Sequence, residues 1–229
     1  MRAKGSSVRE GQRWPRLAVE LWAATLSPMS RPNPPDDHTP PPFAPFEVQR
    51  SERLYDSSWV GLRRDLLILP EGRNQEHHVV EIIDAVVVVP VMTDGRLAMI
   101  WQYRHPHGKS HWEVPAGRLN VGEDPAVGAH RELREETGCV AKKLLPLNGF
   151  YPINGISDHW AHVFVAVGCE QREEPDLDAT ERLSMHQMGR DRVQQLLASG
   201  EIEDGFTALP LYQLFSRADL CAELWGGGA

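Results

Sequence analysis

Residues 124–138, "DPAVGAHRELREETG", constrain the chain most, because both ends of a helix are signalled there. Glu123 or Asp124 can cap the first turn with a side-chain oxygen. Pro125 suits a position that needs no N–H, and Gly138 suits the left-handed residue that closes a helix. At about 3.6 residues per turn, Glu132, Glu135 and Glu136 share about a third of the circumference, while Ala126, Ala129 and Leu133 form an adjoining apolar stripe. The helix must therefore pack by its stripe and present carboxylates beside it.

Like charges three or four residues apart cost a helix roughly 0.2–0.5 kcal/mol per pair. Two readings account for that cost. The glutamates can form a solvated acidic face, since exposed glutamate is a good helix former. Alternatively they bind Mg²⁺, a hard cation that takes a few carboxylates together with water and phosphate oxygens, with Arg131 and Arg134 screening the rest.

The surroundings are strand-like. "DAVVVVPVM" and "RLAMIWQYR" flank Thr93-Asp94-Gly95, which reads as a hairpin loop. The second arm carries apolar residues on both faces, and its polar end, Gln102-Tyr103-Arg104, is expected to emerge at a rim. Residues 46–72 carry short apolar and β-branched runs that stop at the turn signal Pro70-Glu71-Gly72. Further strands are expected at 144–150 and 160–167, and two closing helices in 189–202 and 208–224.

A chain of 229 residues with 41% apolar and 24% charged residues can bury a substantial core. No run reaches the length of apolar residues a membrane span needs; the best early candidate, 17–26, is broken by Glu20. Cys139, Cys169 and Cys221 are odd in number and offer no C-x-x-C pair, so a reduced, cytoplasmic setting is expected. Residues 1–31 carry six Arg or Lys against two Glu, leaving 18 − 30 = −12 for the remainder. That balance argues against nucleic-acid binding by phosphate neutralisation. Residues 1–44 are basic and then proline-rich, and are expected to form a disordered tail. Met29 offers a second start; Glu10 and Glu20 weigh against a transit peptide.

The spacing Gly117, five residues, Glu123, seven residues, Arg131-Glu132-Leu133, one residue, Glu135-Glu136, one residue, Gly138 resembles the Nudix box, with Cys139 in its last apolar place. The resemblance implies an α/β fold, the Nudix α/β/α sandwich around a mixed sheet, and metal-dependent cleavage of a nucleoside diphosphate linked to another group. "QYR" at 102–104, "WEVPAG" at 112–117 and "ASGEIEDGFT" at 198–207 are similar to the subgroup that cleaves ADP-ribose and related nucleoside diphosphate sugars. It implies Mg²⁺, with Mn²⁺ as substitute, on Glu132, Glu136 and the Ala116 carbonyl, with Glu123 as ligand or outer partner. It places Arg104 near the diphosphate and Glu113 near metal or substrate. Glu135 is a further ligand or base, and Glu181 is the preferred base among Glu173, Glu174, Asp176, Asp178 and Glu181.

By the same resemblance residues 45–85 form an N-terminal β segment used in homodimers, and 86–229 the hydrolase domain. Asn154-Gly155 and His159 depart from the turn that ADP-ribose hydrolases usually carry, so GDP-mannose, NADH or a dinucleoside polyphosphate stay open as substrates. A non-catalytic nucleotide-sugar sensor is a weaker expectation, because the box glutamates are intact. His105, His107 and His111 lie in a loop without cysteines and suit surface positions better than a zinc site; Lys109 with Arg104 could meet phosphates.

Overall fold

The computed structural model describes residues 43–226, and the expected tail lies almost wholly outside them. The chain divides after Ile82 into two compact units. The first is an antiparallel sheet of β1 (Glu47–Asp56), β2 (Gly61–Ile68) and β3 (Asn74–Glu81), in that order. Ser57 closes the first turn, accepting the N–H of Val60 and donating to its carbonyl. Gly72, at φ 83°, supplies the left-handed residue of the second. The polar sequence of β3 hides it from pattern reading; it is held by an unbroken ladder with β2 from Gly61↔Glu81 to Ile68↔Asn74.

The second unit is built on a mixed sheet. Its strands are β4 (Ala85–Met92), β5 (Leu97–Arg104), β6 (Lys109–Glu113), β7 (Ala116–Arg118), β8 (Cys139–Val140), β9 (Lys143–Phe150), β10 (Ala161–Gln171) and β11 (Leu183–Met188). The order is β11-β5-β4-β10-β8, with β6 beside β5, β7 beside β4 and β9 beside β10. β4 and β10 are parallel, and the other pairs are antiparallel. The helices are α1 (Pro125–Thr137), α2 (Arg190–Ser199), α3 (Gly205–Ser216) and α4 (Ala218–Trp225).

Every residue of β4 is buried, as its run of valines requires of a strand covered on both faces. Val86 and Val88 pack with Leu119, Ala129 and Leu133 on the α1 side. Val87, Val89 and Val91 pack with Val193, Leu196, Leu211 and Leu214 on the other. Two helical layers thus enclose the sheet, which is the expected α/β/α sandwich. Among the described residues no helix is long and apolar enough to cross a membrane.

Three details differ from the sequence reading. The last predicted helix is two, because Arg217 leaves helical geometry at φ −90°, ψ 93° and caps both. The short strands β6, β7 and β11 carry too few residues to show a period. Gln102 is buried rather than emergent, 3% exposed, while Trp101 beside it is 40% exposed, because successive residues of the strand face opposite sides of the sheet.

Candidate active site

Asp124 takes the capping role at α1: one of its carboxylate oxygens accepts the N–H of Ala126 at 2.8 Å. Glu123 is thereby left for another partner. Arg131 donates to both of its oxygens, Nε and Nη2 each at 2.9 Å. Arg131 Nη1 also reaches Glu132 at 2.6 Å and Glu135 at 3.0 Å, while Nη2 reaches the Arg118 carbonyl at 3.0 Å. One planar guanidinium thus holds three of the crowded carboxylates, a use of the fork that lysine cannot reproduce. Hydrogen bonds from Arg131 and the N–H of Asn120 outweigh partial burial and hold the Glu123 carboxyl down at about 2.

Glu132 and Glu136 turn inward. Glu136 is 2% exposed and accepts the N–H of Ala116 at 3.0 Å. Burial, and then the charge of Glu132, push its carboxyl well above the ordinary range. Burial raises Glu132 too, although Arg131 pulls the other way. Gly117 explains how Glu132 lies so close to β7: a Cβ built there would overlap its carboxylate. Gly138 closes α1 in the left-handed region at φ 67°, and a Cβ there would strike the Glu173 carbonyl.

The rim of β5 adds a positive group. Arg104 forks onto Glu113, with Nε to Oε1 at 3.0 Å and Nη2 to Oε2 at 2.6 Å. Burial lowers the Arg104 pKa, but Glu113, with the charges of Glu136 and Asp204 behind it, outweighs burial and keeps the group above its ordinary value.

The structure brings Glu113, Glu132, Glu136 and the Ala116 backbone together at the junction of β6, β7 and α1. Glu135 stands beside them, a third exposed. Of the acidic loop, Glu181 comes near enough for its charge to oppose ionisation of both Glu132 and Glu136. Its carboxylate accepts the N–H of Asp178 at 2.8 Å. Glu173 instead faces outward to Arg134, at 3.6 Å. His111 pairs with Glu203 at 3.2 Å and Lys109 is exposed.

The donor chemistry fits a hard divalent cation. Glu136 is a buried carboxylate that accepts a neutral N–H from Ala116, and Glu132 beside it repels it; a cation resolves both. Among the described residues no three His, Cys, Asp or Glu side chains already form a ligand cage. Magnesium is commonly bound by one or two carboxylates, with water and phosphate oxygens completing its shell.

Sequence reasoning missed Asn120, whose N–H supports Glu123, and Thr207, which bonds Val114 from 93 residues away. No local pattern carries a contact of that span.

The α/β/α fold of the second unit, with the acidic helix α1 against Gly117 of β7, recurs among solved structures. The crystal structure of an ADP compounds hydrolase superposes with a TM-score of 0.67 at 19% identity, covering 77% of this chain and 96% of that one. Residues 82–204 match the NUDIX domain model, and the chain belongs to the Nudix hydrolase family as a pyrophosphohydrolase. It is 33% identical over 173 residues to an ADP-ribose pyrophosphatase of Bacillus subtilis, 75% of this chain and 94% of that one. It is 39% identical over 132 residues to an ADP-ribose pyrophosphatase of Mycobacterium tuberculosis, 57% of this chain and 64% of that one.

Proposed function

We propose that the protein hydrolyses the diphosphate bond of ADP-ribose or a related nucleoside diphosphate sugar with Mg²⁺, giving a nucleoside monophosphate and a sugar phosphate. The observation that carries this reading is the buried pair Glu132 and Glu136, set against the β6–β7 bend with Arg104 alongside. The names of the two relatives support the substrate class.

In this reading Glu132, Glu136 and the Ala116 carbonyl hold Mg²⁺ or Mn²⁺, and Glu123 supports them from behind through Arg131. The cation, when bound, draws negative charge from the diphosphate oxygens. Arg104, fixed by Glu113, meets a further share of that charge and orients the substrate. Glu135 or Glu181 takes a proton from the attacking water. As the water oxygen bonds to one phosphorus, the bridging P–O bond breaks and the second phosphate departs with the bridging oxygen.

The assembly proposed is a homodimer in the cytoplasm, with residues 1–44 as tail, 45–85 as the pairing segment and 86–229 as the hydrolase domain. Val48, Leu54 and Tyr55 stand exposed along β1, apolar surface that a second copy would cover. Size-exclusion chromatography with light scattering tests the dimer.

Chromatographic product analysis of ADP-ribose, GDP-mannose, NADH and a dinucleoside polyphosphate, with Mg²⁺ and with EDTA, tests the activity. Conversion of ADP-ribose to AMP and ribose phosphate, lost in EDTA, is the expected result. ADP-ribose proving the poorest of the four would transfer the assignment to another nucleotide. Binding without cleavage of any would mean a sensor.

A further inference from the structure

Four consecutive residues at the bend between β6 and β7 are tied to four different places in the second unit. Glu113 holds Arg104 of β5. The Pro115 carbonyl accepts the N–H of Val88 in β4 at 2.9 Å. Ala116 donates its N–H to Glu136 of α1 at 3.0 Å. Val114 donates its N–H to the hydroxyl of Thr207 in α3 at 3.1 Å.

That last bond has a clear cause. The β5–β6 ladder ends at Ile100↔Glu113, and the β4–β7 ladder begins at Val87↔Ala116. Val114 and Pro115 lie between the ladders, and Pro115 has no N–H, so Val114 brings the donor that needs a side-chain acceptor. Val114 is 1% exposed and Thr207 fully buried, so water does not serve instead.

The acceptor is itself oriented. The Thr207 hydroxyl donates to Asp204 Oδ2 at 2.8 Å, and the same oxygen accepts the Thr207 N–H at 2.9 Å as the cap of α3. With its hydrogen committed to a carboxylate, the hydroxyl keeps its lone pairs toward Val114.

We infer that Thr207, oriented by Asp204, is a positioning residue of this active site: it sets the β6–β7 bend and through it both Glu136 and Arg104. It lies three residues beyond the family match, which ends at residue 204. Val114 stands between the residue that carries Arg104 and the backbone that carries Glu136, so a shift of the bend moves the cation side and the diphosphate side together. Displacements near ~1 Å cost about 10²-fold in rate, and loss of a supporting partner costs about 10–100-fold in metal affinity or activity.

The inference rests on the assignment of Glu136 and Arg104 proposed above, and its test separates the two. The full chain and its Thr207→Val and Thr207→Ser variants are compared by amide exchange at Val114 without metal, by Mn²⁺ affinity from electron paramagnetic resonance, and by kcat and KM. Valine keeps the shape and removes the hydroxyl; serine keeps the hydroxyl. Faster Val114 exchange, about tenfold weaker Mn²⁺ binding and a kcat lowered about 10–100-fold are expected for valine, with serine within about threefold of wild type.

Valine matching wild type in Mn²⁺ affinity and kcat overturns the inference. So does serine losing as much as valine, which would make the role one of packing. Should the valine variant not fold, Asp204→Ala is expected to show the same losses at a smaller size, and unchanged Mn²⁺ affinity and kcat in it overturn the inference equally. A wild type that binds Mn²⁺ but prefers another nucleotide changes the substrate reading alone, and the exchange and Mn²⁺ comparisons still decide for Thr207. A wild type that binds no Mn²⁺ and cuts no diphosphate removes both.

Discussion

The guanidinium of Arg131 grips both carboxylate oxygens of Glu123, each at 2.9 Å, from eight residues further along the chain. The contact ties the loop before α1 to its second turn, so the two parts of the box separated by seven residues move as one piece. Glu132 and Glu135 share the same guanidinium, which turns repulsion among the glutamates into a fixed arrangement.

Glu123→Gln measures that clamp. The Glu123 carboxyl is depressed to about 2 in the folded protein, so its stabilisation is complete above the ordinary carboxylate value of 4.5 and disappears as pH falls toward 2. At pH 7 the variant is expected to lose about 1–2 kcal/mol of stability, less than the full shift would give because solvent screens the pair. Urea unfolding in EDTA should show the gap between wild type and variant narrowing steadily from pH 5 downward; a gap independent of pH would place the effect elsewhere.

Glu136→Gln should separate stability from activity. Its carboxyl is raised by burial and by Glu132, so the stability linked to its neutral form is present below the ordinary value and lost as pH rises through the folded one. Without metal, glutamine should raise the melting temperature at pH 8 and flatten its fall between pH 5 and 8, while turnover drops by about 10²-fold or more. Added Mg²⁺ should stabilise wild type with the logarithm of its concentration once that exceeds Kd, and leave the variant almost unmoved. Equal Mg²⁺-induced shifts in the two proteins would deny Glu136 the ligand role.

Gly117→Ala tests close approach rather than backbone strain. Gly117 is absent from the positive-φ glycines, so alanine suits the backbone, yet its methyl group would overlap the Glu132 carboxylate. The expected outcome is roughly 10²-fold lower kcat and weaker Mn²⁺ binding. Wild-type kinetics in the alanine variant would mean that Glu132 can stand elsewhere without cost.

Arg104→Lys keeps the charge and removes the fork onto Glu113. Turnover should fall by about tenfold with a raised KM, because a point charge on a flexible stem neither orients phosphate oxygens nor satisfies both oxygens of Glu113. Steady-state kinetics on whichever nucleotide proves best will read this, and an unchanged KM would remove Arg104 from substrate binding.

Local chemistry was enough to read α1 from the sequence. Its cap, proline, apolar stripe and closing glycine lie within sixteen residues, 123–138, and the structure places them as expected, with Asp124 rather than Glu123 as cap. The hairpin of β4 and β5 was legible for the same reason: its turn and its two apolar runs are contiguous. Spacing alone singled out Glu132, Glu135 and Glu136, because side chains three or four positions apart on a helix must share a side. Tertiary structure decided the rest. It buried Glu132 and Glu136 while leaving Glu135 a third exposed, made Gly117 a seat for a carboxylate, and paired β6, β7 and β11, which are too short to announce themselves. It also linked Val114 to Thr207 across 93 residues. The physical reason is that periodicity and capping act over a few residues, whereas burial, steric seats and long-range donors are properties of the neighbours a side chain acquires only when the chain has folded.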